Sequence, residues 1–224
     1  MRPLPFYVVA TWYLRIGLKV GTRLHVEGRE AVPPRGPLII VANHLSYLDP
    51  PLLSVCIPRR ITFLTKQPMF DNPLGYLMMR AWGAAPIDRG GPGDLGSLKF
   101  ALALLGRDCV LGMFPEGTRS RGPMRPGKPG VALVAAKSQA PILPIGIFGT
   151  EKVRGPHGAF SYPHVTVRIG DPFTPPILEG RLTRAHLASL ADMIMTRIAN
   201  LLPPSYRGHY ALRPQKELVG EISD

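Results

Sequence analysis

The segment from Asn43 to Asp49 combines a histidine with a carboxylate. Five residues turn through about 500° of α-helix, so His44 and Asp49 would not share a helical face. They can meet if His44 lies in a loop and Asp49 begins the next helix. A carboxylate bonded to one imidazole nitrogen fixes the tautomer and leaves the other nitrogen free to take a proton. The pair therefore indicates a general base, although a helix cap beside a hydrogen-bonded histidine would show the same pattern.

A second segment, Phe114 to Ser120, follows an apolar run and combines a glycine with an arginine. Gly117 allows a ligand to approach the backbone closely, and Arg119 can form paired hydrogen bonds to a phosphate. Each such charged hydrogen bond contributes about 1.5–3 kcal/mol. The alternative is a tight turn that carries a solvated arginine.

Three further cations follow apolar runs or precede a helix. Arg89 comes after the run that ends at Ile87, and Lys66 lies just beyond a predicted strand. Lys128 precedes a helix start at Gly130, where unpaired backbone N–H groups favour an anion. Any one of them taken alone fits a solvated surface charge.

Alternating strands and helices must position these residues. Short apolar runs predict buried strands at 37–42, 61–64, 109–114, 142–147 and 165–169. Helices are predicted from Asp49 as N-cap to Ile57, at 95–105 behind an Asp94 cap, at 131–138 and at 183–202. This alternation predicts an α/β fold with a mostly parallel central sheet flanked by helices.

The amino terminus is apolar and aromatic, with no charge from Pro3 to Leu14. As a helix these twelve residues would reach about 18 Å, short of the roughly 30 Å hydrocarbon core of a bilayer. Arg15 and Lys19 follow, which favours a helix lying in the lipid interface; packing on the protein's own core is the alternative. The predicted organisation is a membrane-associated helix at 1–24, an α/β domain at 25–204 and a polar surface tail at 205–224.

Composition narrows the partners. The 27 Lys and Arg residues exceed the 15 Asp and Glu residues, which gives a net charge of +12 and favours phosphate-bearing partners. The basic residues are scattered, and no nucleic-acid-binding motif occurs, so we expect no nucleic acid partner. Cys56 and Cys109 have no metal-ligand spacing around them, so no metal site is expected.

Four blocks, taken together, resemble those of the glycerolipid (lysophospholipid) acyltransferases, most closely the bacterial 1-acyl-sn-glycerol-3-phosphate acyltransferases. In order along the chain they are Asn43-His44-x4-Asp49, Ile87-Asp88-Arg89, Phe114-Pro115-Glu116-Gly117-Thr118-Arg119-Ser120 and Ile142-Leu143-Pro144-Ile145-Gly146-Ile147. The resemblance covers roughly residues 25–150. Many family members carry an acidic residue two positions after the equivalent of Lys66, whereas this chain has Pro68.

The resemblance implies a reaction and a role for each matching residue. His44 would deprotonate an acceptor hydroxyl, which attacks an acyl thioester, and Asp49 would orient His44. Pro144 would shape the acyl-binding side. The implied acceptor-binding residues are Lys66, Arg89, Glu116, Gly117, Thr118 and Arg119.

The resemblance implies transfer to the sn-2 hydroxyl of 1-acyl-sn-glycerol 3-phosphate, which gives phosphatidic acid. The co-substrate would be acyl-CoA or acyl-acyl carrier protein, with no resident cofactor, metal or covalent acyl-enzyme. Membrane lipids and lysophosphatidate are the expected partners, at the cytoplasmic face of the cell membrane. The alternatives are another lysolipid, glycerol 3-phosphate or a glycolipid as acceptor, a lipid hydrolase, and a non-catalytic lipid- or nucleic-acid-binding protein. No Gly-x-Ser-x-Gly segment occurs, which disfavours a serine hydrolase.

Overall fold

The computed structural model describes residues 5–66, 71, 76, 84–87, 95–120, 122–153, 162–177 and 180–211. Its strands are β1 (Arg23–Glu27), β2 (Leu38–Ala42), β3 (Ile61–Lys66), β4 (Ala84–Ile87), β5 (Val110–Met113), β6 (Ile142–Phe148) and β7 (His164–Ile169). Its α-helices are α1 (Pro5–Gly21), α2 (Asp49–Cys56), α3 (Leu95–Leu105), α4 (Gly130–Ser138) and α5 (Arg184–Asn200).

The strands form one sheet in the order β1-β7-β6-β2-β5-β3-β4. Neighbouring strands run parallel except β6 and β7, which pair antiparallel. The predicted fold class, an α/β fold with a mostly parallel sheet, is therefore confirmed. Strand β2 lies near the centre and is buried along its whole length, as expected for a strand covered on both faces.

Helices cover both faces of the sheet. Leu38 and Ile40 of β2 pack in one apolar cluster with residues of α1 and α2. Ile39 and Val41 point the other way, into a second cluster that contains residues of α3, α4 and α5. This alternation follows from the two-residue period of a strand, and it separates the core into two layers.

Helix α1 packs one side against the domain and exposes the other. Tyr7 and Leu18 are buried, and the Tyr7 ring also lies under the Arg60 guanidinium at 5.6 Å. No helix within the described ranges is both long enough and apolar enough to cross a membrane. The predicted helix is present, while its place in a lipid interface stays a prediction.

Two strands were not predicted. In β1, three of the five residues are charged or histidine, because this edge strand has a partly exposed surface. Strand β4 is only four residues long and contains Pro86. Strand β3 also extends two residues beyond the predicted end at Leu64, so Lys66 is its last residue.

Three predicted boundaries need correction. The predicted border between residues 24 and 25 falls inside β1, which begins at Arg23. Asp49, predicted as the N-cap, is instead the first residue of α2, and Leu48 occupies the N-cap position. A surface tail from residue 205 is wrong for residues 205–211, because Tyr210 is 3% exposed and joins the core. The Asp94 cap and residues 212–224 lie outside the described residues.

Candidate active site

The candidate site lies at the carboxyl ends of three adjacent strands. Strand β2 is flanked by β5 and β6, and all three run parallel. His44 therefore comes to the same edge of the sheet as Glu116 and Thr150, which follow β5 and β6. Open α/β sheets place ligands at this edge, where connections depart in opposite directions.

His44 and Asp49 are in direct contact. His44 Nδ1 lies 2.8 Å from Asp49 Oδ2, and the Asp49 side chain is fully buried while that of His44 is 15% exposed. An ionised carboxylate only accepts hydrogen bonds, so Nδ1 carries the proton and donates it. The imidazole then keeps Nε2 as an acceptor at the more exposed end of the pair. The predicted meeting of a loop histidine with the first residue of a helix is confirmed.

Four donors surround the Asp49 carboxylate. Besides His44 Nδ1, Oδ2 accepts from the backbone N–H groups of Leu45 at 2.7 Å and Ser46 at 2.8 Å. Oδ1 accepts from the Thr150 hydroxyl at 2.7 Å. The carboxylate thus points back into the loop that carries His44, and its buried charge is offset by hydrogen bonds.

Asn43 ties the same loop to the end of β6. Its side-chain amide donates to Ile147 O at 2.7 Å, and its carbonyl oxygen accepts from Ile147 N at 2.8 Å. Asn43 is fully buried, so both bonds are shielded from water. This clamp fixes the backbone immediately before His44.

Glu116 joins the His44 loop to the segment after β5. Its Oε1 accepts from His44 N at 3.1 Å and its Oε2 from Arg125 N at 2.9 Å, and the residue is 2% exposed. Burial raises the pKa of Glu116 above its ordinary value, and the two backbone donors offset only part of this rise. Both oxygens are engaged by the protein's own backbone; the predicted contact of Glu116 with the acceptor stays a prediction.

Two phenylalanine rings stack in a column on one face of the His44 imidazole. The His44 and Phe114 rings stack with centroids 4.1 Å apart, and the Phe114 and Phe63 rings lie 5.8 Å apart at 11°. Ser120 N also donates to His44 O at 2.8 Å. The imidazole is therefore held by its hydrogen bond to Asp49, by the hydrogen-bonded backbone of His44 and by stacking on Phe114.

Arg119 lies beside the loop that carries His44. Its guanidinium carbon is 3.3 Å from the centroid of the Tyr47 ring, and Tyr47 belongs to the segment between His44 and Asp49. No acceptor within the described part of the chain bonds the Arg119 N–H groups. The side chain thus lies on Tyr47, three residues after His44, with donors available for an anion.

Lys128 lies across Gly117. A Cβ on Gly117 would come 2.8 Å from Lys128 Nζ, and Gly117 has a φ of +69°, a conformation that favours glycine. Lys128 N donates to Pro115 O at 2.9 Å. Thr118 is exposed nearby in sequence. A second cation, Lys128, therefore lies against the segment that was predicted to bind phosphate. The sequence suggested Lys128 only through its position before a helix.

For the remaining predicted residues, the structure gives a position along the sheet, or the residue lies outside the described range. Lys66 and Ile87 are backbone partners at the ends of β3 and β4, so both strands lead to the same edge of the sheet. Arg89 lies outside the described residues. Pro144 is buried in β6 beside Val41, and its predicted role on the acyl side stays a prediction.

Thr150 was missed by sequence reasoning. It follows Gly149, which has a left-handed backbone conformation, in the turn after β6. Thr150 is the second residue after β6, just as His44 is the second residue after β2. A Gly-Thr pair at the carboxyl end of an apolar strand was the available signal.

The comparisons with known proteins agree with this geometry. The family model described as Acyltransferase matches residues 23–148, which contain the His44–Asp49 pair, Glu116 and Arg119. The chain belongs to the acyltransferase family. This match confirms the resemblance stated from the four sequence blocks.

Relatives within the acyltransferase family differ in length. The 1-acyl-sn-glycerol-3-phosphate acyltransferase of Bacillus subtilis is 26% identical, with 84% of this chain and 92% of its own covered. The human alpha form is 32% identical over 81% of this chain and 64% of its own. The chloroplastic enzyme of Arabidopsis thaliana is 30% identical over 74% of this chain. The chain spans only 48% of the length of that plant relative.

A solved acyltransferase structure has the same fold. The crystal structure of the 1-acyl-sn-glycerophosphate acyltransferase PlsC from Thermotoga maritima superposes with a TM-score of 0.65. The two proteins share 23% identity over 84% of this chain and 76% of the other.

Proposed function

We propose that this protein transfers a fatty acyl group from an acyl thioester to the sn-2 hydroxyl of 1-acyl-sn-glycerol 3-phosphate, giving phosphatidic acid. The observation that carries the proposal is the bond from His44 Nδ1 to Asp49, which leaves Nε2 as a proton acceptor. The 1-acyl-sn-glycerol-3-phosphate acyltransferase names of the relatives support this acceptor.

In the proposed reaction, His44 Nε2 takes the proton of the acceptor hydroxyl as its oxygen attacks the thioester carbonyl. The new C–O ester bond forms and the C–S bond breaks. The proton then passes from His44 to the departing thiolate, which restores the neutral imidazole. Asp49 stabilises the transient imidazolium. In this direct attack, neither a metal nor a covalent acyl-enzyme takes part, and the donor is acyl-CoA or acyl-acyl carrier protein.

Cations at the edge of the sheet would hold the acceptor phosphate. Arg119 presents N–H donors beside the His44 loop, and the Lys128 ammonium lies over Gly117. The ends of β3 and β4 bring the backbone of Lys66, and the chain leading to Arg89, to the same edge. Phosphate bound here would orient the hydroxyl toward His44, which is the positioning effect that makes general-base catalysis efficient.

We further propose that α1 rests in the lipid interface at the cytoplasmic face of the membrane. Its apolar residues outside the core follow helical spacing and are exposed: Val8, Val9, Trp12, Tyr13, Ile16 and Val20. Exposed Lys19 lies in the last turn. An apolar aromatic stripe with adjacent cations suits an anionic lipid surface.

The proposed reaction is tested with purified protein in detergent or vesicles. Thioester consumption is followed with lysophosphatidate, glycerol 3-phosphate and lysophosphatidylcholine, using acyl-CoA and acyl-acyl carrier protein in turn, and mass spectrometry identifies the product. We expect phosphatidate from lysophosphatidate alone. His44→Ala should lower turnover by about 10²- to 10⁴-fold, whereas the exposed His186→Ala should not change it.

Each other outcome would correct a different part of the proposal. Turnover with another acceptor keeps the acyl transfer and changes the substrate. Near-normal turnover by folded His44→Ala protein rejects His44 as the base. Absence of transfer from both donors to all three acceptors rejects the proposed reaction.

Membrane attachment is tested by vesicle flotation. Trp12→Ser combined with Tyr13→Ser changes exposed residues only, so the core contacts of α1 remain. We expect weaker binding to vesicles that contain phosphatidylglycerol, and unchanged binding for the control Ile177→Ser, which alters an exposed apolar residue outside α1. Equal binding of all three proteins would reject α1 as the lipid contact.

A further inference from the structure

Thr150 contacts Asp49 from the turn that follows β6. It is fully buried, and its hydroxyl donates to Asp49 Oδ1 at 2.7 Å across 101 residues of sequence. We propose that Thr150 is a positioning residue that sets the orientation of Asp49 and, through it, of His44. This inference rests on the proposed acyl transfer.

The distribution of donors around Asp49 carries the inference. Three of the four donors reach Oδ2, namely His44 Nδ1 and the N–H groups of Leu45 and Ser46. Within the described part of the chain, Thr150 supplies the one hydrogen bond to Oδ1. A carboxylate anchored at Oδ2 alone can still pivot about that oxygen through coupled rotation of its two side-chain torsions, which swings Oδ1 and Cγ. A second anchor at Oδ1 opposes this pivot. Thr150 is therefore the contact that restricts this pivot.

The surrounding turn holds Thr150 rigidly. Gly149 adopts a φ of +92°, and a Cβ there would collide with the His164 carbonyl group. Glu151 Oε2 accepts from Gly149 N at 3.0 Å, and Glu151 Oε1 accepts from the Tyr206 hydroxyl at 2.7 Å. The hydroxyl of Thr150 is thus presented from a braced turn, as a positioning contact requires.

The location at the end of β6 explains how so distant a residue reaches the pair. Strand β6 is the neighbour of β2, and Asn43 is bonded to Ile147 near the end of β6. The loop that carries His44 and the turn that carries Thr150 are therefore held at a fixed separation by the sheet. The proposed order of action is Thr150 on Asp49, and Asp49 on His44.

Two substitutions separate the hydroxyl from the rest of the side chain. Thr150→Val keeps the shape and removes the donor, while Thr150→Ser keeps the donor and removes a methyl group. We expect Thr150→Val to lower kcat by about 10- to 100-fold, as the loss of an outer-shell partner does for histidines that bind a metal. Both KM values should stay within twofold of the wild type. Thr150→Ser should keep kcat within about threefold. A loss confined to kcat indicates an effect expressed in the transition state.

A matched control distinguishes positioning from a general effect on folding. Thr196 is as deeply buried, at 1% exposed, and its hydroxyl bonds the Asp192 carbonyl within α5. Thr196→Val should leave kcat unchanged, with all assays run well below the thermal midpoint of each variant. Full kcat in Thr150→Val, or an equal loss in Thr150→Ser, would overturn the inference.

A spectroscopic readout keeps the inference testable without turnover. With ¹⁵N-labelled histidine, the His44 ring N–H signal is assigned by its disappearance in His44→Gln. We expect Thr150→Val to shift this signal and speed its exchange with water, and Thr150→Ser and Thr196→Val to leave it in place. An unchanged signal in Thr150→Val would overturn the inference. Failure of wild-type turnover with a signal that does respond would reject the proposed reaction alone.

Discussion

The Arg119 guanidinium stacks on the ring of Tyr47, with 3.3 Å between its carbon and the ring centroid. Stacking uses the face of the guanidinium and leaves its in-plane N–H groups directed outward, the arrangement suited to a phosphate. The tyrosine belongs to the loop that carries His44. The proposed phosphate ligand Arg119 and the proposed base His44 are thereby linked through the same short loop.

Loss of this stacking contact is predicted to weaken the affinity for the acceptor. A cation–π contact at an exposed site contributes about 0.5–1 kcal/mol, so Tyr47→Leu should raise the KM for the acceptor about two- to fivefold while kcat changes little. Tyr47→Phe keeps the ring and should behave as the wild type. Steady-state kinetics at varied acceptor concentration measure both. In an Arg119→Ala background, Tyr47→Leu should have no further effect; a full additional loss there would contradict the stacking role.

The buried Glu116 predicts a pH dependence of stability. Because burial raises its pKa in the folded protein, the native state holds this proton more tightly than the unfolded chain, whose glutamate pKa is about 4.3. The stabilisation is complete below that ordinary value and is lost as pH rises through the raised value. Its slope cannot exceed about 1.4 kcal/mol per pH unit for one proton.

Urea unfolding at a series of pH values from about 4 upward measures this contribution. Glu116→Gln cannot titrate, so the free energy of unfolding of the wild type minus that of Glu116→Gln should decrease as pH rises. The glutamine should also be less stable throughout, because its NH₂ group faces a backbone N–H of His44 or Arg125. A difference that is constant with pH would contradict the raised pKa.

Gly112 predicts a steric effect on the aromatic column. A Cβ at this position of β5 would lie 2.6 Å from Phe63 Cδ1 and 2.7 Å from Ile61 Cγ2. Gly112→Ala should therefore cost about 1–3 kcal/mol of stability, measured by thermal or urea unfolding. It should also lower kcat, because Phe63 supports Phe114 and thereby the His44 ring.

Gly17→Ala is the control for Gly112→Ala. Gly17 lies within α1, and a Cβ added to it would meet no described atom within 4 Å beyond its chain neighbours and the local helix backbone. Alanine there should stabilise the helix by up to about 1 kcal/mol and leave kcat unchanged. If the two substitutions have the same effect, the crowding at Gly112 is not the cause.

The burial of Cys56 predicts that its thiol reacts slowly with alkylating reagents. The side chain is 2% exposed, and burial raises the pKa of its thiol to about 11. Since the thiolate is the nucleophile, iodoacetamide at pH 8 should label the folded Cys109→Ser variant at least about 100-fold more slowly than the same variant in urea. Mass spectrometry after timed quenching measures both rates, and equal rates would refute the prediction.

Much of the fold follows from local sequence patterns. The strands at β2, β5 and β6 are short apolar runs, and α3 ends before Gly106 as its composition indicates. The histidine and the aspartate were predictable as a pair because both belong to one short loop-helix segment. The edge strands were not, since β1 mixes charged and apolar residues and β4 is too short to show a period.

The order of the strands is decided by tertiary structure. Placing β6 beside β2 brings Thr150 to Asp49, 101 residues away, and Ile147 to Asn43, 104 residues away. No local period encodes such an order, because it depends on which apolar surfaces pack together once all helices are in place.

The residue types and their spacing determined that this protein has a histidine–carboxylate pair, a basic segment after β5 and the blocks of an acyltransferase. Only the tertiary structure decided how these parts are held. Glu116 accepts hydrogen bonds from two backbone N–H groups, and Arg119 is stacked on Tyr47. The physical reason is that reactivity resides in side-chain chemistry, which the sequence states directly. Orientation arises from burial and long-range hydrogen bonds, which exist only when distant segments are packed side by side.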